Sequence, residues 1–189
     1  MSQEHMNQEI EHIVAEAIKL AQSKQHEYVL TEHLLLALIR YQPFRKCLEK
    51  YGTDVHMMDA EVDAYLGGLV GMTVSDPNVQ PKKTTSIERV FNRANVQAMF
   101  TGRRSITTAD IYLSIMSENN SHAHYFLLKY GVKKQEFLEF WQAHYRQGDV
   151  KLSVEQADGI LAEYCVNLTQ MARENRLEPM IGRGTELEE

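Results

Sequence analysis

Residues 29–39 read "VLTEHLLLALI" and residues 105–116 read "SITTADIYLSIM". Both set hydroxyl and acidic side chains directly before an almost unbroken apolar run. Thr31 is placed to accept a hydrogen bond from the open amides of a new helix, and Glu32 sets negative charge at the positive end of its dipole. The "LLLALI" that follows then reads as a short helix buried on most sides.

The neighbouring text repeats as well. "SIERVFNRANVQAMF" at 86–100 aligns with "EIEHIVAEAIKLAQS" at 9–23, placing Ile87 over Ile10, Glu88 over Glu11, Val90 over Ile13, Ala94 over Ala17 and Ala98 over Ala21, a constant offset of 77 residues (87 over 10). The same offset puts Ile106 over Val29, Thr108 over Thr31, Ile111 over Leu34, Leu113 over Leu36 and Ile115 over Leu38, so one cap and one buried face are written twice. "KYG" recurs at 50–52 and 129–131 with an offset of 79, which assigns two extra residues to "SENNSHAH" at 117–124. A lengthened loop is cheap, because closure entropy grows slowly with length.

The periodicity predicts helices throughout. From Asn7 to Gln22, Ile10, Ile13, Val14, Ala17, Ile18 and Ala21 recur at steps of three and four. A helix starting at Pro43 stops at Gly52, where a left-handed cap costs little, and another, capped by Thr53 or Asp54, ends at Gly67–Gly68. "QEFLEFWQAHY" at 135–145 carries a stripe of Phe137, Phe140, Trp141 and Tyr145, with Trp141 expected as a core anchor. Each half alone is too small to hide its apolar face, and two related halves can share one core.

The expected architecture is all-α: two pseudo-twofold related four-helix units, about eight helices, plus a carboxyl-terminal linker helix. The boundaries are a first repeat at 1–68, a connector at 69–84 rich in Gly and Pro, a second repeat at 85–145, and a linker at 146–189 leading into a further module.

Composition excludes several functions. No uncharged apolar run is long enough to span a bilayer, and the amino terminus is acidic and polar where a signal peptide would be basic and then apolar, so neither a membrane nor secretion is expected and the setting reads as cytoplasmic. A net charge of −6 without a long Lys/Arg cluster argues against nucleic acid. The pairs Lys82–Lys83, Arg103–Arg104 and Lys133–Lys134 read as solvated surface. Cys47 and Cys165 read as reduced packing residues. His26 and His33, and His122 and His124, have spacings that fix no tetrahedral metal site, so no metal is expected. No nucleophile elbow or His-Glu-x-x-His motif points to catalysis. Met57, Met58 and Met72 would offer an adaptable apolar surface if exposed.

Two repeats carrying "TEHLLLAL"-like text resemble the Clp amino-terminal domain, the double repeat that opens the Clp/Hsp100 ATP-dependent unfoldases. The tail "NLTQMARENRLEPMIGRGTELE" is similar to the segment leading into their first AAA+ module. Asn167, Leu168, Ala172, Pro179, Ile181, Gly182, Arg183, Glu186 and Leu187 fit its pattern, and Glu178 stands in for the usual acid. Within the group the text is most similar to the ClpA type, with the ClpC type next. The chain holds no Gly-x-x-x-x-Gly-Lys-Ser/Thr, so it is not expected to be an enzyme or to bind a cofactor. The resemblance implies that ATP and Mg belong to modules beyond the chain, in a hexameric parent that passes proteins to the ClpP peptidase. It also implies an isolated domain that is monomeric, and docking of a ClpS-type adaptor and protein substrates. The positions matching the adaptor contact are Glu27, Tyr28 and Glu32 in the first repeat and Thr84 and Arg89 in the second. Glu27, Glu32 and Arg89 are expected on the surface, and Glu32 would also complement its helix dipole, worth about 0.3–1 kcal/mol. Ala109 in place of an acid weakens the match to two-site phosphoarginine reading of the ClpC kind. The alternative expectation is a free-standing regulator that competes for adaptors without an ATPase.

Overall fold

The structure, a computed structural model, describes residues 8–69, 71, 73–74 and 80–145. The chain divides into two compact units, Met1–Gly148 and Asp149–Glu189, and every described residue belongs to the first. The linker helix and further module expected at 146–189 lie outside the described residues, as do Cys165 and Met72.

Among the described residues the order is α1 (Gln8–Ser23), β1 (Tyr28–Val29), α2 (Thr31–Arg40), α3 (Gln42–Tyr51), α4 (Val55–Gly67), β2 (Lys82–Lys83), α5 (Thr85–Phe100), α6 (Thr108–Ile115), α7 (His122–Lys129) and α8 (Lys134–Tyr145). The all-α expectation with eight helices holds, and α1–α4 and α5–α8 follow the same order. The apolar positions of α1 divide as its period requires: Ile10, Ile13, Ala17 and Ala21 are buried, and Val14 and Ile18 are partly covered beside them. Helix α3 has Pro43 in its first turn and ends at Gly52, whose φ of 99° is left-handed and suits a residue without Cβ. Asp54, one of the two expected caps, closes α4 by accepting from the Met57 N–H at 3.0 Å.

Helices α2 and α6 lie at the centre. Residues 31–39 and 108–115 are buried throughout. Both caps fall one residue earlier than expected. Thr107 caps α6, accepting from the Asp110 N–H while Asp110 accepts from the Thr107 N–H at 2.8 Å. Leu30 precedes α2 and has no side chain to cap with, so His33 supplies the return bond, its Nδ1 accepting from the Leu30 N–H at 3.0 Å. Thr31 and Thr108 are therefore first-turn residues.

The aromatic residues of α8 seal one end. Phe137 is fully buried with Phe44 and Tyr112, whose ring centroids lie 5.1 Å apart, and Trp141 is half-buried against Phe44 and stacked on Tyr145. Cys47 is buried here, and desolvation pushes its thiol up to about 11, as suits an inert packing residue. Met57 is exposed, but Met58 is fully buried, because it lies on the inner face of α4 with Val55, Val62 and Leu66.

Candidate functional site

The described residues of the connector are strapped to the first repeat. The Val74 N–H donates to the Gln25 carbonyl at 2.7 Å, His26 and Thr73 form an isolated antiparallel bridge, and β2 pairs in parallel with β1, Tyr28 opposite Lys82 and Val29 opposite Lys83. The Lys82 N–H donates to the Glu27 carbonyl at 2.8 Å, and its Nζ reaches Glu27 Oε1 at 3.0 Å while lying 5.8 Å from the Tyr28 ring centroid. The lysine's hydrogen bond holds the Glu27 carboxyl below its ordinary range. Thr84 finishes the junction: its hydroxyl donates to the Val29 carbonyl at 3.1 Å and accepts from the Ile87 N–H at 3.4 Å, capping α5. Glu27, Tyr28 and Thr84, far apart in sequence, are thus brought together.

Behind this strip is an apolar cavity of about 120 Å³ between α1 and α5. Ala17, Ile18, Val29, Leu34, Ile87 and Phe91 line it, and Lys83 and Glu88 bring charge to it. The lining is apolar apart from these two exposed charged residues.

Under the strip, His26 and His33 are buried with His26 Nδ1 3.0 Å from His33 Nε2. The Leu30 N–H can only donate, so His33 Nδ1 carries no proton. His33 therefore holds its proton on Nε2 and donates it to His26 Nδ1. Burial pushes His33 down to about 3 and lowers His26 as well, keeping both neutral. No group of three or more metal-ligating side chains occurs among the described residues.

Two expected residues lie elsewhere. Glu32 is only 5% exposed: Oε1 accepts from the Ala123 N–H at 2.9 Å and Oε2 from the Thr31 hydroxyl at 3.2 Å. This corrects the expectation of exposure, since the first-turn acid of α2 is turned inward to the first turn of α7, where open amides attract a carboxylate. Arg89 is half-exposed and bound to Glu118, Nη2 to Oε2 at 2.8 Å, beside Arg93, whose Nη2 lies 2.6 Å from Oε1. Burial alone would raise the Glu118 carboxyl, yet the two arginines leave it lowered. Arg103 likewise is not simply solvated, because both its terminal nitrogens donate to Asp110, at 2.6 and 2.8 Å. Sequence reasoning missed Lys82 as a site residue, along with Glu118 and the stacked pair Tyr65 and His122, joined by a 2.7 Å hydrogen bond. For Lys82 a signal existed: a basic pair just before the Thr84 cap.

Two matched sets of four helices, with a short parallel ladder beside an apolar cleft, make up the described fold. The Clp repeat (R) N-terminal domain family matches residues 5–130, and the chain belongs to it. Over 198 residues the chain is 26% identical to a ClpA homolog protein of Fuscovulum blasticum, covering 95% of this chain and 25% of that protein. It is 29% identical over 176 residues to chaperone protein ClpB 1 of Parasynechococcus marenigrum, covering 92% and 20%. The chain thus spans a quarter or less of these relatives' length. The fold matches the Hsp104 N-terminal domain from Candida albicans with a TM-score of 0.65 at 14% identity, covering 76% of this chain and 94% of that one. It matches the N-terminal domain of the ClpV1 ATPase from E. coli with 0.61 at 18%, covering 77% and 88%. No helix among the described residues is long and apolar enough to cross a membrane.

Proposed function

We propose that this chain is the adaptor- and substrate-docking amino-terminal domain of an ATP-dependent Clp unfoldase subunit, delivering proteins for unfolding and for degradation by ClpP. The ATP and Mg chemistry belongs to modules beyond this domain. The observation that carries the reading is the junction itself: the exposed Lys82 with the half-exposed Glu27 and Tyr28, fixed by the β1–β2 ladder and Thr84, beside an apolar cavity. A fixed charged rim sets orientation and association rate, and an adjoining apolar pocket gives an anchor somewhere to bury. Arg89, on the second turn of α5, is held by Glu118 apart from this rim. Glu32 contributes by holding α7 rather than by touching the partner.

A ClpS-type adaptor is the partner to test. Reversing the charge in Lys82→Glu is expected to weaken adaptor binding about tenfold or more, measured by titration calorimetry, with unchanged thermal unfolding. Wild-type affinity in that variant contradicts the reading.

A further inference from the structure

Beyond the junction, α5 carries a second surface near its carboxyl end. Val96, Met99 and Phe100, at the spacing of one helical stripe, are 50%, 65% and 87% exposed. The opposite face of the same helix is spent on the core, with Val90, Phe91, Ala94 and Ala98 buried. From residue 89 to 104 the sequence holds Arg89, Arg93, Arg103 and Arg104 and no Asp or Glu, in a chain of net charge −6. Arg89, Arg93, Val96 and Phe100 follow one another at steps of four, three and four, so cations and apolar groups share a stripe. One buried carboxylate, Glu118, serves both Arg89 and Arg93, which leaves that end of the stripe with excess positive charge.

The fold does not require this surface. At the 77-residue offset the positions over Val96, Met99 and Phe100 in α1 are Lys19, Gln22 and Ser23, with Glu16 over Arg93. There the same backbone carries a Lys19–Glu16 ion pair and a Gln22–Gln80 hydrogen bond. One of two matched helices therefore has a charge-balanced, polar outer face, and the other a cationic and apolar one.

We propose that this face of α5 docks an acidic amphipathic segment of a partner protein, its apolar side chains packing on Val96, Met99 and Phe100 and its carboxylates meeting Arg89 and Arg93. The chemistry favours that occupant over a polyanion, because Glu118 and Asp110 already neutralise much of the arginine charge and the remaining excess suits a few carboxylates. It also favours a protein over a lipid surface, because an interfacial helix needs a wide apolar face and α5 turns most of its own inward. Exposed aromatic and arginine side chains together are the usual anchors of protein recognition.

The test uses the full chain and a fluorescein-labelled peptide of about four helical turns, with Leu and Phe at i, i+3, i+4 and i+7 and Glu elsewhere. Fluorescence anisotropy should show saturable binding that weakens as salt rises. The triple variant Val96→Lys, Met99→Gln, Phe100→Ser, which installs the residues of α1, should bind about tenfold more weakly or worse, and the fully exposed Phe100→Ser alone should show a smaller loss in the same direction. Lys82→Glu should bind the peptide as wild type does, so that the junction and this face fail or succeed independently. The proposal is overturned if wild type does not bind the peptide, if both α5 variants bind it unchanged, or if a version with Lys in place of every Glu binds equally well. It is also overturned if phosphatidylserine vesicles or duplex DNA are bound in preference.

Discussion

The starts of α2 and α6 occupy matching places in the two repeats and close the same backbone gap with different chemistry. At α6 an anionic Asp110 accepts from the Thr107 N–H and is held by Arg103, whereas at α2 a neutral histidine does so, steadied by a second histidine. One position earlier the difference is larger: Glu32 reaches across to the Ala123 N–H at the head of α7, and its counterpart Ala109 is a small buried packing residue. Duplication thus preserves backbone geometry and leaves the side chains that satisfy it free to diverge, provided each buried polar group ends with a partner.

The comparison breaks most visibly at Glu32. Glu32→Lys should cost about 3–5 kcal/mol in urea unfolding, because it removes the acceptor at the head of α7 and buries an unpaired cation, while the matched change Ala109→Ser should cost far less. Asp110→Ala should cost about 2–3 kcal/mol, through loss of the cap and of the partner of a partly buried Arg103. The histidine side of the comparison is sharpened by pH. His33 has a folded value near 3, below its ordinary 6.5, so the unfolded chain takes up the proton first. Its contribution is therefore complete above about pH 6.5 and is lost as pH falls toward 3, at up to about 1.4 kcal/mol per pH unit. His33→Asn keeps an acceptor for the Leu30 N–H but does not titrate, and should flatten that part of a stability profile between pH 6.5 and 4. Smallest of all, Lys82→Gln breaks an exposed ion pair and should leave thermal unfolding unchanged within error.

Much of this molecule was legible from spacing. The helical period placed α1, the glycines at 52 and 67–68 marked two helix stops, Thr53 or Asp54 was the expected cap of α4, and the 77-residue offset gave the matched order of helices. What was not legible depends on partners distant in the chain. Glu32 has the local signature of a surface dipole acid, and only the arrival of α7, 91 residues on, turns it into a buried cap. The caps shifted by one residue because Thr31 and Thr108 both looked suitable locally, yet Leu30 and Thr107 hold the extended backbone that precedes each helix. β2 was invisible for a related reason: two lysines carry no strand signal, and their pairing comes from the edge that β1 offers. Within the candidate site, Glu27, Tyr28 and Thr84 were found by resemblance, and their physical connection through Lys82 came only with the fold.

Two nearby glutamates differ in their surroundings, Glu27 half-exposed in the proposed docking rim and Glu32 buried against the head of α7. The most direct measurement is titration of a ClpS-type adaptor into Glu27→Lys and, separately, Glu32→Gln, each first shown to be folded. The expected result is a loss of affinity of about tenfold or more in Glu27→Lys and wild-type affinity with reduced stability in Glu32→Gln. Undiminished binding by Glu27→Lys together with lost binding by a folded Glu32→Gln would contradict it.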